Sequence, residues 1–246
     1  MRGRRMRLRP RFLPAAAAAL LLASAAPARA DRKFYLFTYQ YATLPKGAAE
    51  LETWITRQDD DSVPKQVDGE LQIEGEFGLT DRLDISLYTI LAKEGDASLD
   101  WDASKIETKY RLGEPGKWPV DVELYAEYEQ PFQVHGWGEP ELKLILAHDF
   151  GPLNVAGNLI FSKPVDDETG RHLAWKREWA AGASYELSPR VNLGVEGHGS
   201  FSESNGKVGP VVSYQGEKAW AAVGPYFGLT SRDGDVGARA ILGFYF

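Results

Sequence analysis

The 246-residue chain has no cysteine, two methionines and four histidines. Without cysteine, disulfide scaffolds, thiol catalysis and cysteine-zinc sites are all excluded. Histidines at 135, 148 and 172 have no metal-ligand spacing, so neither a metal nor a cofactor is expected. A long hydrophobic run is also missing. The most apolar stretch, Ala15 to Ala26, falls well short of the roughly 20 residues a helix needs to cross a bilayer.

Positive charge is scarcer than the totals imply. Against 35 acids stand 28 bases, but seven of the arginines fall within the first 30 residues, which hold no acid. The rest of the chain therefore carries a net charge of −14. That balance argues against nucleic-acid binding, which needs clustered Lys and Arg to neutralise phosphates. The N-terminal segment has a basic stretch to Arg11, an apolar centre and Ala28-Arg29-Ala30, a small-x-small cleavage site. This is the pattern of a secretory signal, so residues 1–30 are expected to be removed and the chain exported.

What the remainder has in quantity is alternation. From Val67 to Leu79 the apolar residues Val67, Leu71, Ile73, Phe77 and Leu79 fall on one parity, and Asp68, Glu70, Gln72, Glu74 and Glu76 on the other. Period two over this length predicts a strand with one apolar and one wet face. The same pattern recurs to the C-terminus, where Val236, Ala238, Ala240, Leu242, Phe244 and Phe246 share a side. Short connections such as Thr80-Asp81-Arg82 and Phe150-Gly151-Pro152 interleave with longer polar ones.

Alternating short turns and long loops are the mark of an outer-membrane barrel, with the short turns periplasmic. Thirteen candidate strands can be counted, and single-chain bacterial barrels have an even number. The reading is therefore an all-β, up-and-down transmembrane barrel of 12 strands over residues 49–246. Residues 31–48 are then a periplasmic or lumenal extension. The rival is a soluble sandwich or lipocalin-like barrel with its apolar face inward. Candidate strands of 10 to 12 residues and the charge on the wet face weigh against it, as do aromatics near strand ends, among them Tyr110, Trp118, Phe150, Trp175 and Phe244.

The terminal Phe246, after Phe244, Leu242 and Ala240, is similar to the C-terminal strand signal of Gram-negative outer-membrane proteins. Two further stretches, Thr43-Leu44-Pro45-Lys46-Gly47 and Phe77-Gly78-Leu79-Thr80-Asp81-Arg82-Leu83, resemble outer-membrane transporters of the meta-pathway phenol degradation type and related barrels. The resemblance implies an outer-membrane location, contact with membrane lipid and lipopolysaccharide, and Phe246 as an assembly signal read by the barrel assembly machinery. A monomer is expected.

The predicted inner face carries the candidate selectivity residues: Glu70, Glu74, Glu76, Lys105, Lys109, Arg111, Asp121, Glu123, Glu127, Lys143, Glu196 and Arg239. With Glu50, Glu52, Asp84, Glu107 and others, the acids there outnumber the bases. Pairing Arg111 with Asp121, Lys109 with Glu123 and Lys105 with Glu127 would make a cross-strand charge ladder. Two readings stand: the ladder stiffens a closed structural barrel, or it lines a passive pore for a small solute and favours cations. A third, distant reading takes His198 and Ser200, on one strand face, as a lipid-hydrolase pair like those of outer-membrane phospholipase barrels. Against it, Val191, Leu193 and Val195 put the lipid face on the other parity. The acidic loop clusters Asp59-Asp60-Asp61 and Asp166-Asp167-Glu168 are expected to be solvated and extracellular.

Overall fold

The computed structural model describes residues 33–59, 69–93, 98–132, 138–166, 169, 171–230 and 236–246. The expected signal peptide, Asp68, His135 and most of both acidic loop clusters lie outside them. Twelve antiparallel strands form the chain: β1 (Ala49–Asp59), β2 (Gly69–Thr80), β3 (Leu83–Lys93), β4 (Asp100–Arg111), β5 (Asp121–Pro131), β6 (Glu139–Phe150), β7 (Leu153–Ser162), β8 (Lys176–Ser188), β9 (Val191–Ser200), β10 (Asn205–Gln215), β11 (Ala219–Gly228) and β12 (Val236–Tyr245). Each strand pairs with its neighbours in sequence, and β12 pairs with β1, so the sheet closes and has no edge. No helix occurs among the described residues.

The alternation decides which way each side chain points. Leu51, Ile55, Ile73, Leu87, Leu124, Leu142, Leu159, Leu193, Val223 and Leu242 stand exposed on the outer surface. Their strand neighbours Glu50, Glu52, Glu74, Glu76, Asp84, Glu107 and Glu123 are buried inside. An apolar exterior around a charged interior inverts a soluble protein and matches a barrel whose solvent is lipid. Exposed aromatics stand near the strand ends, including Tyr110, Trp118, Phe150, Tyr185, Tyr214, Phe227 and Phe244. Arg177 and His148 share the outward parity but sit near strand ends, His148 with its ring edge-on to Phe150 at 4.5 Å. There an outward charge costs only about 0–1 kcal/mol.

The hydrophobic cluster inside the barrel comes largely from outside the strands. Phe34, Tyr35, Leu36, Leu44 and Ala48 are buried against Ala147, Ala156, Val211, Trp220, Ala222 and Ile241 of the wall. Residues 33–48 are thus folded into the lumen. At the foot of this segment Gly47 takes a φ of 81°, and its N–H donates to the Gly78 carbonyl at 2.8 Å. Gly78 returns a bond to the Ala48 carbonyl at 3.0 Å, and a β-carbon at Gly78 would overlap the carbonyl oxygen of Pro45. The segment therefore joins β1 at the end of the barrel that carries the short turns.

Candidate functional site

The wall holds residues 33–48 chiefly through side chains that accept their backbone N–H groups. Glu196 of β9 takes four hydrogen bonds: from the N–H of Leu36 at 2.6 Å, of Phe37 and Thr38 at 3.0 Å each, and from the Thr38 hydroxyl at 3.0 Å. Asn158 of β7 accepts the Tyr39 N–H at 2.7 Å and donates to the Tyr39 carbonyl at 2.8 Å, as a neighbouring strand would. Glu123 accepts the Ala42 N–H at 3.0 Å and Asp84 the Leu44 N–H at 3.2 Å. An irregular segment buried in a lumen needs such partners, because each backbone group left unmade costs about 1–3 kcal/mol.

Aromatic side chains fix its path. Phe37 stacks on His198 with ring centroids 3.9 Å apart, meets Tyr226 edge-on and lies under the Arg239 guanidinium at 4.1 Å. Tyr39 packs edge-on to Tyr125 and donates to Glu107 at 3.3 Å; burial, with the Glu107 charge close by, pushes its phenol up to about 12. Tyr41 reaches the turn between β4 and β5 and donates to the Gly113 carbonyl at 2.6 Å. The segment thus runs up from the short-turn end, turns near Phe37 and returns to β1. Beyond its apex, at the long-loop end, lies a cavity of about 500 Å³ lined by Phe37, Glu141, Lys143, Glu178, His198, Ser200 and Lys207.

The interior charges are paired, but not in the ladder predicted from sequence. Across β4 and β5 the register sets Arg111 opposite Glu123, Lys109 opposite Tyr125 and Lys105 opposite Glu129, two residues away from the expected pairing. A connection as long as 112–120 leaves the register free, and the Leu112 N–H bond to the Val122 carbonyl at 3.0 Å sets it. Of the three expected partners only Lys105 and Glu127 meet, diagonally, at 3.0 Å. Lys109 instead bridges Glu76 at 2.8 Å and Asp84 at 3.5 Å. Arg111 donates to the Asp81 carbonyl, and Asp121 accepts the Gly116 N–H at 2.9 Å. Lys143 pairs with Glu141 at 2.8 Å, and Arg239 lies 4.0 Å from Glu70 while donating to Thr56 at 2.8 Å.

Lys33 was not anticipated as a site residue. Its ammonium sits 2.8 Å from Glu52 and 3.5 Å from Glu76, with the Trp220 ring 5.6 Å away. Burial alone would lower its pKa; Glu52, Glu76, Glu50 and Glu74 outweigh that and hold it well above the ordinary range. Trp220 donates to Glu50, and Trp54 to Glu52 at 2.9 Å and to Glu74 at 3.2 Å. On one of the two sequence readings Glu74, Glu76, Glu123 and Glu196 line a passive pore, and on the other they stiffen a closed barrel. They are buried beneath residues 33–48. The sequence signal for this was Phe34, Tyr35, Phe37, Tyr39 and Tyr41 in a stretch that alternates like a strand but is surplus to an even-numbered barrel, since so much aromatic surface still needs a core.

His198 and Ser200 both face inward, away from lipid. The Ser200 hydroxyl accepts the N–H groups of Ser202 and Glu203 at 3.2 Å each, and His198 is stacked on Phe37. Both are engaged in packing and turn geometry.

A closed 12-stranded antiparallel barrel, apolar outside and charged within, is the architecture of outer-membrane β-barrel proteins. Among solved structures, the fold is similar to the KdgM porin, with a TM-score of 0.58 at 11% identity over 80% of this chain and 99% of that one. It is also similar to the NanC porin, with a TM-score of 0.53 at 11% identity over 79% and 98%. The outer membrane protein Omp33 of Acinetobacter baumannii gives a TM-score of 0.53 at 8% identity over 82% and 99%. No family model and no curated protein matches the chain.

Proposed function

We propose that the chain is an outer-membrane, porin-like channel for passive passage of a small solute, and that residues 33–48 form a plug that sets its aperture. The observation that carries this reading is the plug itself. A barrel built only as a wall could fill its lumen with strand side chains, as small barrels do. Here the filling is a separable segment, held by polar contacts and topped by a cavity of about 500 Å³. The porin neighbours support the same reading. One of them was solved in complex with disordered oligogalacturonate, a fact about that protein alone.

Within this proposal the solute enters from the long-loop side, where the lining is of mixed charge. With the plug displaced, Glu70, Glu74, Glu76, Glu123, Glu127 and Glu196 would outnumber Lys105, Lys109, Lys143 and Arg239, and the passage would favour cations. Arg111 and Asp121 belong to the short-turn mouth. A non-enzymatic role, insertion among outer-membrane lipids and lipopolysaccharide, assembly through Phe246 and kinship with the meta-pathway phenol transporters are parts of the same proposal.

The test is ion current through single molecules in planar bilayers. The full chain should conduct in small or brief steps, and a variant lacking residues 33–44 in larger and steadier ones. Neutralising Glu70, Glu74, Glu123 and Glu127 in that variant should move its selectivity toward anions. A second reading, a permanently closed structural barrel, is favoured by the four bonds that Glu196 makes to the plug. No current through the shortened variant would establish that reading and overturn transport.

A further inference from the structure

We infer that Glu50, Glu52 and Glu76 form a binding site for a divalent cation of the Ca²⁺ class, in which the Lys33 ammonium sits as a built-in competitor. One carboxylate oxygen from each of the three lies within 4.8 Å of the others, and all three residues are buried. Oxygens so spaced suit an ion that takes oxygen ligands at about 2.3–2.6 Å in flexible geometry. Clustered acids alone would not make a site, and two further observations point to a ligand. Glu50 has no exposed surface, yet its Oε2 has no hydrogen-bond partner, while its Oε1 accepts from Trp220. A buried, unpaired carboxylate oxygen is costly unless a cation meets it. The second observation is Lys33 itself: a cation from another segment already lies 2.8 Å from Glu52 and 3.5 Å from Glu76.

The local charge balance leaves room for more than Lys33 supplies. Among the described residues, Glu50, Glu52, Glu74, Glu76 and Asp84 meet only Lys33 and Lys109. Lys109 serves Glu76 and Asp84 from the β4 side, so Lys33 alone faces the remaining acids. A divalent ion would bring twice the charge of the ammonium and could also engage the free oxygen of Glu50. Because Lys33 belongs to the plug, exchanging it for the ion would release its side chain and leave the bond from the Gln215 amide to its carbonyl, at 3.0 Å, as its hold on the wall. The exchange transfers no electron: one carboxylate-bound cation replaces another, and any proton held by the buried carboxylates leaves to solvent as the ion binds. The consequence for gating rests on the transport proposal, whereas the site does not.

The experiment is calorimetric titration of Ca²⁺ into the full chain folded in detergent, with folding checked by heat-dependent gel mobility. Lys33→Met, which keeps the apolar stem and removes the charge, should bind Ca²⁺ at least tenfold more tightly than the natural chain. Adding Glu50→Gln and Glu52→Gln should abolish that gain. Equal affinity with and without the Lys33 charge would overturn the inference, as would tight binding that survives both glutamines. Should Lys33→Met fail to fold, the natural chain supplies the test. Tb³⁺ should luminesce on tryptophan excitation, because Trp220 and Trp54 touch the carboxylates. Ca²⁺ should quench that signal and speed amine labelling of Lys33; failure of both refutes the site. A barrel that binds Ca²⁺ but passes no current keeps this inference and loses transport, and the reverse result does the opposite.

Discussion

Substituting Glu196→Gln should unseat the plug by an amount the hydrogen bonds define. Glu196 Oε2 accepts three bonds, from Phe37 N–H, Thr38 N–H and the Thr38 hydroxyl, and Oε1 accepts the Leu36 N–H. Glutamine can place its one carbonyl where Oε2 was. Its amide nitrogen then faces the Leu36 N–H, donor against donor, inside the lumen. Leaving that buried N–H unmade costs about 1–3 kcal/mol, and the other three bonds lose the strength a charged acceptor gave them. These effects overlap, so the net is about 3 kcal/mol, or roughly a hundredfold in the seating equilibrium at 1.4 kcal/mol per decade. The chain has no cysteine, so Ala42→Cys installs a single thiol at a buried position on the plug. Its rate of maleimide labelling follows the fraction of time the plug is open. Glu196→Gln should raise that rate about a hundredfold while the barrel stays folded. A rise below about threefold in a folded barrel would refute Glu196 as the plug's main hold.

Two further substitutions probe the wall and its assembly. Gly243→Ala would drive a β-carbon into Trp220 and Glu50. It should cost about 1–3 kcal/mol as overpacking, read as a lower denaturant midpoint for loss of heat-dependent gel mobility. Removing Phe246, whose N–H closes the seam on the Ala49 carbonyl at 2.9 Å, should reduce the barrel recovered in outer-membrane fractions. An undiminished yield would remove it as an assembly signal.

The barrel was legible because a sheet between lipid and a polar lumen writes its geometry in alternate residues. Glu50, Glu52, Glu74 and Glu76 face inward for the same reason that Leu51, Thr53, Ile73 and Phe77 face out. The even strand count excluded the stretch from Lys33 to Thr43 from the wall, and that also holds. Register was not legible where the connection was long. Arg111 stands opposite Glu123 and not Asp121, because parity is unchanged when a strand slides by two residues. Nor could the seat of the plug be read: Glu196 lies 160 residues from Leu36 in sequence, and only the closed barrel brings them together. The acidic excess likewise had two meanings that composition cannot separate. It could have been bare lining for a channel, and in the structure Asp84, Glu123 and Glu196 accept the backbone N–H groups of one short segment.

The junction at Gly47 and Ala48 is fastened to Gly78 of β2 by two backbone bonds, and the Ala48 N–H closes a turn on the Pro45 carbonyl. A plug released from Glu196 and Asn158 would therefore stay on a tether of only a few residues at the mouth of its own seat. Such a tether holds a ligand at an effective concentration on the order of millimolar. Reseating is then a first-order event independent of how much protein is present. A free peptide with the sequence of residues 33–44 would compete for the seat only at concentrations of that order. Any signal that keeps the lumen clear must act on the tethered segment itself.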